Sequence, residues 1–100
     1  MAEDVGIYLN EVKKAVESLD KRQIGRVISS IFDAYKKNKQ IFIIGNGGSA
    51  TTATHFANDL CKFCNVESKK RFRAISLTDN ISTITAWAND TSYDQVFSQQ

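Results

Sequence analysis

The chain has 100 residues, 42% hydrophobic and 24% charged, with a net charge of +2. That balance excludes a disordered polyelectrolyte, gives no reason to expect a nucleic-acid partner, and at this length allows one domain at most, with a small core. No early apolar run could cross a bilayer, and the start Met1-Ala2-Glu3-Asp4 is acidic where a secretory leader would be basic; both point to a cytoplasmic protein without membrane contact.

Val5, Tyr8, Leu9, Val12, Val16 and Leu19 recur at helical spacing and predict a first helix with one apolar face. Asp20, with Gln23 three residues on, reads as the N-cap and capping box of a second helix. Its apolar face carries Ile24, Val27, Ile28, Ile31, Phe32 and Tyr35, and its exit is basic (Lys36, Lys37, Lys39), as suits the negative end of a helix dipole. Residues 1–39 thus form an N-terminal helical segment, and residues 40–100 open a different architecture.

Ile41-Phe42-Ile43-Ile44 lacks polar alternation and reads as a strand buried on both faces. Gly45-Asn46-Gly47-Gly48-Ser49 breaks it, and a helix follows from about Ala50 to Phe63, with Ser49 able to cap it and Ala53, Phe56, Ala57 and Leu60 as its packing face. Cys61 and Cys64 fall near that helix's end; with no second cysteine pair for a thiolate zinc site, they read as two reduced thiols. The basic cluster Lys69, Lys70, Arg71 and Arg73 reads as a solvated loop entering a second strand, Phe72–Leu77. After Thr78-Asp79-Asn80 a short helix carries Ile81, Ile84 and Ala88, and Asn89-Asp90 interrupts it. A last helical segment starts near Tyr93 and runs on to Gln100.

Strand, glycine loop, helix and strand make a βαβ unit, with parallel strands and a right-handed crossover. Two parallel strands do not make a stable sheet, so the sequence describes the opening of an α/β domain.

The glycine loop carries the chemistry. A strand that ends in glycines and turns into a helix aims backbone N–H groups and the positive end of a dipole into one crevice, which suits an anion. Asn46 tolerates the left-handed conformation and also offers an amide for hydroxyls. A P-loop is excluded, because Ser49-Ala50 stands where that motif needs Lys-Ser or Lys-Thr. A dinucleotide fingerprint stays open: Gly45 to Ala50 satisfies G-x-G-x-x-A, and Asp79 could be its acidic residue. His55 and Asp59 are four apart and share a helix face, where they can hold a divalent metal, move a proton, or form a plain surface pair.

Ile43-Ile44-Gly45-Asn46-Gly47-Gly48-Ser49-Ala50, His55-Phe56-Ala57, Ala74-Ile75-Ser76-Leu77-Thr78, Ala88-Asn89-Asp90 and Val96-Phe97-Ser98 together resemble the N-terminal half of the phosphoheptose isomerase family of sugar isomerase (SIS) domains. The resemblance implies a three-layer αβα, Rossmann-like fold with a parallel sheet, incomplete in this chain, whose residues 40–100 are its first part. It implies interconversion of sedoheptulose 7-phosphate and a manno-heptose 7-phosphate through an enediol. It assigns Asn46, Gly47, Gly48, Ser49, Asn89 and Asp90 to substrate, His55 to zinc, and Asp59 to zinc and catalysis. It further implies a homotetramer.

Two departures stand out. Asp59 occupies a position where the family has glutamate. The family's downstream Ser/Thr-rich phosphate loop and its further glutamine and histidine are absent, and His55 is the only histidine. The expectation is therefore a truncated reading frame or a fragment of an isomerase. The alternatives are a non-catalytic SIS module that binds a phosphosugar or a regulatory protein, as in relatives that associate with the bacterial replication initiator, or a dinucleotide-binding domain.

Overall fold

The computed structural model describes residues 1–100, and they divide into two compact units, Met1–Phe32 and Asp33–Gln100. The first unit holds helix α1 (Ala2–Glu17) and most of helix α2 (Lys21–Lys36). Asp20 caps α2 as its sequence suggests: Oδ1 accepts the backbone N–H of Arg22 at 2.9 Å and of Gln23 at 3.3 Å. Asp20→Ala should therefore cost about 1 kcal/mol, read as a lower urea midpoint and reduced helicity by circular dichroism. Neither helix buries a residue: Val5, Leu9, Val12 and Val16 on α1 and Ile24, Val27, Ile28 and Phe32 on α2 all lie exposed.

In the second unit, α2 ends in a Schellman motif, with Lys39 N–H on the Ala34 carbonyl (2.8 Å), Asn38 N–H on that of Tyr35 (3.1 Å), and Asn38 itself at φ 54°. The cluster read as a solvated loop has a structural task at this end. Lys70 Nζ reaches the Lys36 carbonyl at 2.8 Å and sits 5.0 Å from the Tyr35 ring centre, while Arg73 donates to the Asn38 carbonyl at 2.9 Å. Cations here answer the negative end of the α2 dipole, and Tyr35 stacks on Phe72 with ring centres 4.6 Å apart.

Strands β1 (Gln40–Ile43) and β2 (Arg73–Ser76) pair in parallel, Gln40 opposite Arg73 through Ile43 opposite Ser76. Helix α3 (Gly48–Asn58) connects them and packs on both, burying Ala53, Ala57 and, just past its end, Leu60. Those three recur at i, i+4 and i+7, and the two alanines let the helix approach the sheet closely. Phe56, expected on this face, points away and is 41% exposed.

The strand read as buried on both faces is covered on one. Phe42 and Ile44 are 63% and 54% exposed, and with Leu77 and Phe97 they line an open apolar groove on the side away from α3. An unbroken apolar run records what a strand is built to bury, not what this chain alone lays over it.

Helix α3 also ends differently from the uniform helix expected to Phe63. From Asp59 to Phe63 the backbone widens into a π-helical turn, closed by Cys64 N–H on the Asp59 carbonyl at 2.8 Å. Cys61 and Cys64 are free thiols, and Cys61 Sγ lies against the Ala74 carbonyl at 3.2 Å. Helix α4 (Ile81–Asp90) is capped by Asn80, whose Oδ1 accepts Thr83 N–H at 3.0 Å. Asn89 and Asp90, expected to interrupt α4, are its last two residues. The continuous helix expected from Tyr93 is instead a 3₁₀ turn, Tyr93–Gln95, followed by further turns. Two anchors stop it from extending: Val96 is fully buried, and Gln100 Nε2 donates to the Leu77 carbonyl at 2.9 Å.

Candidate functional site

The glycine loop sits at the carboxyl end of β1, as its sequence predicts, and two glycines there have separate reasons. Gly47 has φ +56° and ψ −125°, the conformation an L side chain resists. Gly45 is required by proximity: a Cβ there would lie 2.4 Å from the Ser49 carbonyl oxygen. The left-handed position is thus Gly47 and not Asn46. The cap is likewise Gly47; Ser49 already lies inside the first turn and makes no side-chain cap.

Backbone bonds close this corner. Ser49 N–H meets the Asn46 carbonyl at 2.9 Å, and the N–H groups of Ala50 and Thr51 meet that of Gly47 at 3.0 and 3.3 Å. The N–H groups of Gly47 and Gly48 precede these bonds and stay available at the positive end of α3. Asn46, Gly47, Gly48 and Ser49 are all exposed, so the loop faces solvent.

His55 and Asp59 share one face, with Nε2 3.4 Å from Oδ1 and side chains 74% and 44% exposed. Along the axis they stand about 10 and 16 Å from the start of α3 at 1.5 Å per residue, so a compact ion could not touch both the loop and this pair. An extended ligand could. No group of three or more His, Cys, Asp or Glu side chains comes together anywhere in the chain. Zinc takes four ligands in closed sites and three protein ligands in open ones. The residues present therefore fit half of a zinc site at most, and no chemical step is assigned through a metal.

Asn89 and Asp90 bond one another (Nδ2 to Oδ1, 3.2 Å) and make no hydrogen bond to the loop. The link from this end of the chain to the loop comes three residues later: the Tyr93 phenol donates to Asn46 Oδ1. Sequence reasoning missed Tyr93, since nothing in its spacing pairs it with a residue 47 positions earlier.

A hydroxyl cluster went unpredicted too. Thr54 Oγ1 on α3 donates to Asp79 Oδ1 at 2.7 Å and lies 3.0 Å from Thr78 Oγ1. Thr78 Oγ1 in turn lies 2.5 Å from Ser76 Oγ and 3.3 Å from the Ala50 carbonyl. These contacts pin α3, which bears His55 and leads into Asp59, to the end of β2. They also engage Asp79, the residue a dinucleotide site would have turned towards a ribose.

Residues 7–100 match the family described as SIS domain. The chain is 40% identical to a protein named "Probable phosphoheptose isomerase" from Thermoplasma acidophilum, over 97% of this chain and 53% of that one. It is 38% identical to a phosphoheptose isomerase from Helicobacter pylori, over 89% of this chain and 45% of that one. Its structure superposes on that of a phosphoheptose isomerase from Neisseria gonorrhoeae with a TM-score of 0.83 at 28% identity, covering 99% of this chain and 52% of that one. The chain thus spans about half the length of the curated relatives it matches.

Proposed function

Because the chain belongs to the SIS domain family, we propose that its glycine loop takes a phosphosugar and that it serves as part of an isomerase acting on sedoheptulose 7-phosphate. The observation that supports this best is the arrangement along α3. Donors at the N-terminal end suit an oxyanion or sugar hydroxyls, and one face further along carries an imidazole and a carboxylate within 3.4 Å of each other. Aldose–ketose isomerisation moves a proton between adjacent carbons, so it needs a base there and a second group to handle the hydroxyl proton. In this reading Asp59 is the base and His55 its neighbour. Zinc, which the family resemblance implies, would find only this pair in the chain and would need its remaining ligands from elsewhere. Asn89 and Asp90 are assigned a further substrate contact in this reading.

The exposed apolar faces of α1 and α2 support self-association, since contiguous surfaces of this kind mark interfaces. No helix of the chain is long and apolar enough to cross a membrane.

A second reading, a phosphosugar-binding module without turnover, is favoured by one specific observation: only two ligand- or proton-handling side chains converge here. Incubation of the full chain with sedoheptulose 7-phosphate, with and without zinc, separates the two. The isomerase reading expects a manno-heptose 7-phosphate product. Saturable binding with no product would establish the module instead, and failure to bind would end both readings.

A further inference from the structure

Asn46 has an amide with two unlike ends, and which end faces a ligand decides what the loop can recognise. The oxygen accepts and the Nδ2 group donates, so a freely rotating amide presents either. Here the oxygen is occupied, because the Tyr93 phenol donates to Oδ1. In this arrangement the phenol donates to the amide oxygen, and the Nδ2 hydrogens are left to other partners. The neighbouring available groups, the Gly47 and Gly48 N–H, are donors as well. With Tyr93 in place the Asn46 Nδ2 group and the Gly47 and Gly48 N–H groups make this part of the loop rich in donors.

Tyr93 is itself held from a distance. It begins the 3₁₀ turn Tyr93–Gln95, next to a bond from Ser92 Oγ to Asp94 Oδ1. Three residues on, Val96 is fully buried, and Gln100 ties the segment to the Leu77 carbonyl.

We propose that Tyr93 is a positioning residue that fixes the Asn46 amide with its N–H groups towards the ligand, so that the loop selects groups rich in acceptor oxygens, such as a sugar phosphate. This rests on reading the glycine loop as a phosphosugar site. One hydrogen bond of this kind is worth about three- to tenfold in affinity.

The test is a double-mutant cycle on the full chain with sedoheptulose 7-phosphate as probe, comparing Tyr93→Phe, Asn46→Ala and the double variant by calorimetry. Tyr93→Phe should weaken binding about three- to tenfold in the wild-type background and less than about twofold in Asn46→Ala. Equal weakening in both backgrounds would show that Tyr93 acts only through the fold and would overturn the positioning role alone. Binding untouched by Asn46→Ala, or absent in the wild type, would overturn the loop assignment and this proposal with it. A ligand-free measurement stands beside the cycle: the Asn46 side-chain amide resonances should move in Tyr93→Phe, and unchanged signals would sink the proposal whatever the sugar does.

Discussion

Gly45→Ala is expected to destabilise the second unit by about 3 kcal/mol, the upper end for a forced steric clash. The new Cβ would sit 2.4 Å from the Ser49 carbonyl oxygen, 2.5 Å from its carbon and 2.9 Å from Ala50 N, and all three are backbone atoms. Flexible side chains could swing aside, but this backbone is the first turn of α3, closed by bonds from Ser49, Ala50 and Thr51 back to the loop. Moving it away would shift Ala53 and Ala57, which are 3% and 8% exposed against the sheet. Gly48→Ala supplies the control. It meets nothing within 4 Å and lies inside the helix, where alanine is favoured, so it should be neutral or stabilising by up to about 1 kcal/mol. Urea unfolding followed by circular dichroism measures both. Equal midpoints for the two variants would mean that the approach of α3 to β1 is softer than these distances say.

Asp59→Asn is the largest expected functional effect: if the proposed isomerisation is detected, it should fall by about 10²- to 10⁴-fold, the range for loss of a general base. The amide keeps the size and half the hydrogen-bonding capacity of the carboxylate but cannot take a proton. Asp59→Glu tests the same position in the opposite direction. The family resemblance implies a glutamate at this position, and one methylene of reach is enough to displace a base from its proton. Asp59→Glu should raise turnover while leaving phosphosugar affinity within about twofold. Turnover that survives Asp59→Asn would remove Asp59 from the chemistry. A loss of affinity that matches the loss of turnover would make it a binding group.

The two predictions flank α3, Gly45 before it and Asp59 just past its end, and that stretch shows how much of the site was legible in advance. His55 and Asp59 share a face because they are four residues apart, and the structure puts them within 3.4 Å. The glycines announced a turn from strand to helix, and the strand pairing is parallel as a βαβ unit requires. Asp20 and its cap were legible for the same reason, since capping is decided within three residues.

What misled was long-range. The run Ile41 to Ile44 shows apolar side chains to both sides, yet which side is covered depends on α3 and on whatever else can reach the sheet. Phe56 fits a helical stripe by spacing but falls outside the contact made by Ala53 and Ala57. Past Tyr93 the sequence reads as a helix, whereas burying Val96 and tying Gln100 to Leu77 favoured turns.

By itself, then, the sequence determined the parts governed by neighbours along the chain: helices α1 and α2 with the Asp20 cap, the turn after β1, and the pairing of His55 with Asp59. Only the tertiary structure decided which glycine answers to steric crowding and which to backbone angle, and that the Thr54–Thr78–Asp79 cluster fastens α3 to the end of β2. It alone brought Tyr93 to Asn46. The physical reason is common to the last two. Local structure follows from dihedral preferences and hydrogen bonds over a few residues, whereas a contact across 24 or 47 positions exists only once the sheet and helix have fixed where each end of the chain lies.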